Sequence, residues 1–314
     1  MKKKFVLTIF LLLFCMIVNQ NNLAEKNDVP NGRVISAVTY TLSGGRLGDD
    51  LLSYLHAKWI SYFYKIPLLY VPFNYSTEFE FHEFEPYAYE KYAHNYCKRV
   101  YFEKPNDTLR VEPQSGTLYV IGYFPETSIC NTHEYPYFSV NWQDVGFKSE
   151  IRYLISPRRS LRLIEPPPDC MSVAVHVRRG SGYDHDDMEL ILKTQAPKFL
   201  TDEFYIKNIE KISEMIGHQK LYAFVFTDDA YPQNIVARFK KALKNYSNIE
   251  IGSRENGFGY DKNILEDLFS MIKFDFLIRS ESHFAVVTSK IGNFKAEIFP
   301  HDLNDTVASQ MHFI

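Results

Sequence analysis

The stretch MSVAVHVRRGSGYDHDD, Met171 to Asp187, decides how this chain is read. Its first seven residues are apolar and rich in β-branched valines, with His176 near the end. A short apolar run bounded by turn residues suits a buried strand of a parallel sheet. Arg178 and Arg179 follow at once, then Gly180 and Gly182, then the acids Asp184, Asp186 and Asp187. Arginines at a strand end suit phosphate oxygens, because the guanidinium fork makes paired, charge-assisted hydrogen bonds. The glycines let the backbone turn sharply and a ligand approach closely. The plainer readings are a core histidine at 176 and an ion pair of the arginines with Asp184 or Asp186.

Strands and helices alternate downstream. TDEFYIKNIEKISEMIG predicts a helix with Thr201 as N-cap, Tyr205, Ile209, Ile212 and Ile216 on one face, and Gly217 as stop. LYAFVFTDD predicts a strand ending in acids, and PQNIVARFKKALK a helix with Pro232 near its start and cations near its end. IEIG, ILEDLFSMIK, FDFLIRS and HFAVVTSKIG continue as strand, helix, strand and helix. This order predicts a doubly wound parallel sheet, in which ligands bind beyond the carboxyl ends of the strands. Three groups fall at such ends: His176–Arg179, Thr227–Asp229 and Ser280–His283. Asp267 sits on the helix that feeds the last of them.

Upstream, RVISAVTYTL reads as a strand, SGGRLGDD as a Gly-rich turn, and DLLSYLHAKWISYFYK as a helix with Asp49 and Asp50 at its start. LLYV (Leu68–Val71) and GTLYVIGYF (Gly116–Phe124) read as strands, residues 139–162 as helical, and residues 72–115 as aromatic, poorly periodic insertions. The three consecutive prolines of IEPPPDC (Ile164–Cys170) cannot continue a helix or a central strand. They divide the chain into a domain at 30–165 and another at 169–300. The Gly-rich turn lacks the GK[ST] ending of a phosphate-binding P-loop and the spacing of a dinucleotide fingerprint. No GxSxG or HExxH occurs.

The 314 residues are 46% hydrophobic with a formal net charge of −3, enough apolar matter for two domains and no basic stripe for nucleic acid. Aromatics make up 16% and crowd residues 59–102, as core packing or as faces for sugar rings. Four cysteines without a CxxC exclude a zinc knuckle, and leave one disulfide or free thiols open. Lys2–Lys4 and the apolar run Phe5–Val18 make residues 1–24 a signal peptide or a retained signal-anchor. Export or membrane association through this segment is therefore expected. Sequons begin at Asn74, Asn106, Asn245 and Asn304. The acids Asp184–Asp187 could supply oxygen ligands to a divalent metal, although one run rarely makes a whole site.

HVRRG resembles the HxRR motif of the GDP-fucose fucosyltransferases, a superfamily of α-1,2-, α-1,6- and protein O-fucosyltransferases. GGRLGDD resembles that family's G-x-x-G-N-Q loop, FVFTDDAYPQNIVARF its strand-plus-DD segment, and EDLFSMIKFDFLIRSESH its last motif. The resemblance implies a GT-B glycosyltransferase, an α/β protein of two Rossmann-like domains facing across a cleft, with the donor held mainly by the second. It implies fucose transfer from GDP-fucose to a glycan or glycoconjugate acceptor, without metal or other cofactor. Arg178 then resembles the arginine that neutralises the β-phosphate, Arg179 its neighbour, and His176 a donor contact. Asp267 resembles the acid that reads guanine. Ser282 and His283 fall where the family touches phosphate or fucose, and Gly45 and Gly48 lie in the loop near the donor. Asp186 matches the acid that serves the acceptor hydroxyl in an α-1,6 relative. Asp49-Asp50 depart from the family's Asn-Gln, and Ser181 stands where an acid often follows the arginines. Two other readings remain: a GT-B transferase with another nucleotide sugar, and a non-catalytic glycan- or protein-binding descendant of the fold.

Overall fold

The structure, a computed structural model, describes residues 35–102, 110–122, 140–180, 198–256, 262–300 and 309–313. It is an α/β protein with two largely parallel sheets. The first has order β1-β3-β2, from β1 (Ala37–Tyr40), β2 (Lys98–Phe102) and β3 (Thr117–Ile121), all parallel. Helix α1 (Leu47–Tyr64) follows β1, and α2 (Val145–Leu154) follows β3.

The second sheet contains β4 (Met171–Val177), β5 (Leu221–Thr227), β6 (Ile249–Ser253), β7 (Phe276–Arg279), β8 (Ala296–Pro300) and β9 (Ser309–Phe313). Their spatial order is β6-β5-β4-β7-β8-β9, with only β9 antiparallel. Counted within this sheet that order is 3-2-1-4-5-6, the doubly wound arrangement. The connecting helices are α3 (Asp202–Met215), α4 (Pro232–Ala242), α5 (Ile264–Met271) and α6 (His283–Ile291).

Burial explains why these segments take these forms. Val173, Ala174, Val175 and Val177 of β4 are wholly buried, as a central strand covered on both faces requires. Tyr205, Ile209 and Ile212 put one face of α3 into the same core, and Gly217 ends the segment at φ 64°. Pro232 opens α4, where its missing N–H has no helical partner to lose. The core of the first half also takes in Leu265, Leu268 and Phe269 of α5, and Val286, Val287 and Ile291 of α6. Two helices of the second sheet thus pack against the first half. Arg152 Nε of α2 adds a hydrogen bond of 2.8 Å to the Ile291 carbonyl.

The first half departs from the sequence reading. Residues 72–115 are not simple insertions: they contain β2, and Phe79, Phe81, Tyr87 and Phe102 are buried. Leu68–Val71 forms no strand of its own. Leu68 bridges to Val38 and Tyr70 to Ala88, so this stretch is hydrogen-bonded on both sides but never makes a ladder. Among the described residues of 139–162, helical structure is limited to α2, with Asp144 as N-cap accepting from the Phe147 amide. Helix α1 starts three residues earlier than read, inside the Gly-rich turn. Cys97 and Cys170 carry free thiols. The leader 1–24, Asp186 and the rest of the acid run lie outside the described residues. No helix among the described residues is long and apolar enough to cross a membrane.

Candidate active site

The order 3-2-1-4 places a topological switch point between β4 and β7, where successive connections leave to opposite sides and open a crevice at the carboxyl edge. The residues at that edge are His176 to Arg179 at the end of β4 and just beyond it, and Arg279 to His283 at the end of β7 and just beyond it. His176 lies opposite Arg279 in the β4–β7 register. Its imidazole is 7% exposed, and Nδ1 has no hydrogen-bond partner among the described residues. Burial, with Arg178 and Arg279 nearby, lowers its pKa to about 3, so the ring is neutral at physiological pH.

Arg178 and Arg179 leave the strand in different directions. Arg178 Nη1 forms a nearly buried ion pair with Asp228 at the end of β5. Asp228 also accepts from the Arg179 amide at 2.6 Å, so one carboxylate fixes both the guanidinium and the turn. Arg179 pairs with Asp202 in the first turn of α3 and donates from Nη1 to the Leu200 carbonyl at 2.7 Å. Its guanidinium lies 5.8 Å from the centre of the Tyr205 ring. Among the described residues the ion-pair partners of these arginines are Asp228 and Asp202; Asp184 and Asp186 lie outside the described residues. Asp229 caps the following turn, accepting from the Tyr231 amide at 2.7 Å.

Asp267 lies in the first turns of α5 with 18% of its side chain exposed. Desolvation outweighs its cationic neighbour and raises its pKa to about 6. That neighbour is Arg254, just beyond β6, whose Nε donates to Asp267 at 2.7 Å. Arg254 Nη2 is buried without a partner among the described residues. Strand spacing of about 4.8 Å puts the β4–β7 gap roughly 12 Å from the end of β6. An extended nucleoside diphosphate spans such a distance from phosphate to base.

The N-termini of α1 and α6 meet at this edge. A Cβ on Gly48 would fall 2.3 Å from the Phe284 amide nitrogen, so only glycine permits the approach. A Cβ on Gly45 would strike the Asp49 carboxylate at 2.4 Å. Asp49 accepts from the Arg46 amide at 2.9 Å through one oxygen and meets His283 Nδ1 at 2.6 Å through the other. Asp49, which departs from the family's Asn, thus links the two helix starts. Asp50 is 5% exposed, and its Oδ1 has no hydrogen-bond partner among the described residues. Burial, and secondarily Asp49, raises its pKa to about 6. Ser282 is the N-cap of α6 but makes no side-chain cap hydrogen bond.

Beneath the switch point lies a charged cluster that sequence reasoning missed. Arg279 is 2% exposed and holds Glu281 at 3.1 Å and Glu297 at 3.2 Å. Its guanidinium carbon lies 4.6 Å from the centre of the Phe299 ring. The signal was present in FLIRSE, where an arginine interrupts an apolar strand and a glutamate follows two residues later. Among the described residues no group of three or more His, Cys, Asp or Glu could hold a metal ion.

No protein-family model matches the chain, and no curated protein sequence does. In structure it is similar to several fucosyltransferases. POFUT1 in complex with GDP shares 15% identity at a TM-score of 0.43, covering 82% of this chain and 96% of that one. NodZ from Bradyrhizobium shares 13% at 0.44, covering 90% and 99%. A FUT1 variant from Arabidopsis thaliana in complex with GDP shares 13% at 0.47, covering 91% and 75%.

Proposed function

We propose that this protein is an inverting glycosyltransferase of GT-B type that transfers fucose from GDP-fucose to a glycan acceptor, in an α-1,6 or α-1,2 linkage. The observation that carries the reading is convergence. Arg178, His176, Ser282 and His283 stand at the strand ends that flank the switch point of a 3-2-1-4-5-6 sheet, and Asp267 pairs with Arg254 just beyond β6 of the same sheet. Arg178 would meet the β-phosphate. A guanidinium carries five N–H donors, so it can hold Asp228 and address a phosphate together. A positive charge fixed beside the leaving oxygens stabilises the transition state more than the ground state, because negative charge grows there as the sugar departs.

Neutral His176 can donate to or accept from the donor without adding charge. Asp267, ionised above pH 6, would accept from the N1–H and exocyclic amine of guanine. The acceptor's proton needs a carboxylate, for which the motif resemblance offers Asp186. Metal-free chemistry suits an arginine in this role. Membrane or export targeting through residues 1–24 belongs to the same proposal.

One observation favours the non-catalytic alternative: Arg178 and Asp267 are each already ion-paired within the chain. Thermal-shift measurements with GDP, UDP and ADP test the donor. At a hundred times Kd a bound nucleotide adds about 2.7 kcal/mol of stability. Stabilisation by GDP alone is expected. Equal shifts with all three, or none, would remove the GDP assignment, and GDP binding without turnover of GDP-fucose would favour the non-catalytic reading.

A further inference from the structure

We propose that Asp50 is the general base that takes the proton of the acceptor hydroxyl. The inference rests on the glycosyltransferase reading and assigns a role for which the motif resemblance offers Asp186. Asp50 follows the β1–α1 turn, at the carboxyl edge of the first sheet, where ligands bind in α/β proteins. The segment leading to it, Ser43–Gly45, is exposed. Gly48 brings the start of α1 against the start of α6, so this edge abuts the switch point of the second sheet. Asp50 therefore lies where an acceptor held by the first half would meet a donor held by the second.

The two acids of GRLGDD have different surroundings. Asp49 is engaged through both oxygens, by the Arg46 amide and by His283. Asp50 is 95% buried, yet its Oδ1 has no partner among the described residues. A buried carboxylate oxygen left without a hydrogen bond is unfavourable, and a hydroxyl donor would relieve it. Its raised pKa, about 6, is also that of an effective base near neutrality.

The step balances without a further reactant. The acceptor O–H bond breaks and its proton passes to Asp50. The acceptor oxygen bonds to C1 of fucose, and the C1–O bond to the β-phosphate breaks, its electron pair leaving with GDP. Water can replace the acceptor, giving free fucose and GDP by the same proton transfer. Azide differs, because it attacks as an anion and has no proton to lose.

The test uses the full chain, its Asp50→Asn variant and its Asp186→Asn variant, each with GDP and GDP-fucose. Calorimetry first measures GDP binding. Release of GDP is then followed with water alone and with added sodium azide, and the sugar product is identified by mass. The expected result is that D50N binds GDP within threefold of wild type, loses hydrolysis by about 10²–10⁴-fold, and still forms fucosyl azide near the wild-type rate. Wild-type hydrolysis by D50N overturns the proposal, as does loss of azide transfer together with hydrolysis. Survival of D50N with selective loss of hydrolysis in D186N returns the role to Asp186. A wild-type protein that fails to bind GDP strikes the donor reading first and takes this assignment with it.

Discussion

Replacing Arg178 with alanine tests separately the ion pair with Asp228 and the phosphate contact that the proposed function assigns to the same guanidinium. Its partner Asp228 has 7% of its side chain exposed and also holds the Arg179 amide. Removing the cation leaves that carboxylate buried without its counter-ion, a loss of about 3 kcal/mol by the general behaviour of such pairs. Donor binding loses more specific contacts. Two charge-assisted hydrogen bonds to a phosphate contribute about 1.5–3 kcal/mol each, so GDP affinity should fall by roughly two to four orders of magnitude. Urea denaturation measures the first quantity, and calorimetric titration with GDP the second. Asp228→Asn in the R178A background removes the orphaned charge. The double variant should regain much of the lost stability and none of the lost affinity. GDP binding by R178A within threefold of wild type would refute the placement of the diphosphate. Recovery of affinity in the double variant would show that Arg178 acts only through the fold.

Other outcomes follow from the same geometry. GDP affinity should be flat above pH 6 and fall by up to about tenfold per unit below it, as Asp267 protonates and can no longer accept two donors; a pH-independent Kd in calorimetry would contradict its role in base recognition. Asp50→Asn should stabilise the protein by about 3 kcal/mol at pH 7.5. The sign follows from the raised folded-state pKa: protonation of Asp50 adds stability in full below pH 4, and that stability is lost as pH rises through about 6. The advantage of D50N should therefore vanish in urea melts at pH 4. Gly48→Ala should destabilise by about 2 kcal/mol despite alanine's helix preference, because its Cβ meets the Phe284 backbone and not a mobile side chain; unchanged stability would mean that α1 and α6 do not pack so closely.

The second sheet was legible because its signals are local. The apolar run of β4 matches its bounds residue for residue, Gly217 and Pro232 mark helix ends by their own chemistry, and Thr201 stands at the N-cap without a side-chain cap hydrogen bond. The first half hid its pattern. In β2, Lys98, Arg99 and Tyr101 are exposed, so an edge strand reads as a polar loop. The final pair β8–β9 was not foreseen, since nothing in AEIFP announces a partner beyond an intervening stretch. The site divides in the same way. His176, Arg178 and Asp267 could be named from their places at strand ends and in motifs. Their partners could not, because Asp228 is 50 residues from Arg178, and Arg254 is 13 from Asp267. Such pairs are set by the sheet order, which no single segment contains. Asp49 is the clearest case: it departs from the motif, and its reason is a histidine 234 residues away.

The most direct measurement is a crystal structure of the protein with GDP bound. The account predicts the β-phosphate within 3.2 Å of the Arg178 guanidinium at the β4–β7 gap, with the guanine edge on the Asp267 carboxylate and Arg254 displaced from it. A nucleotide found elsewhere, or one lying at this edge with the Arg254–Asp267 pair intact and the base unread, would contradict it.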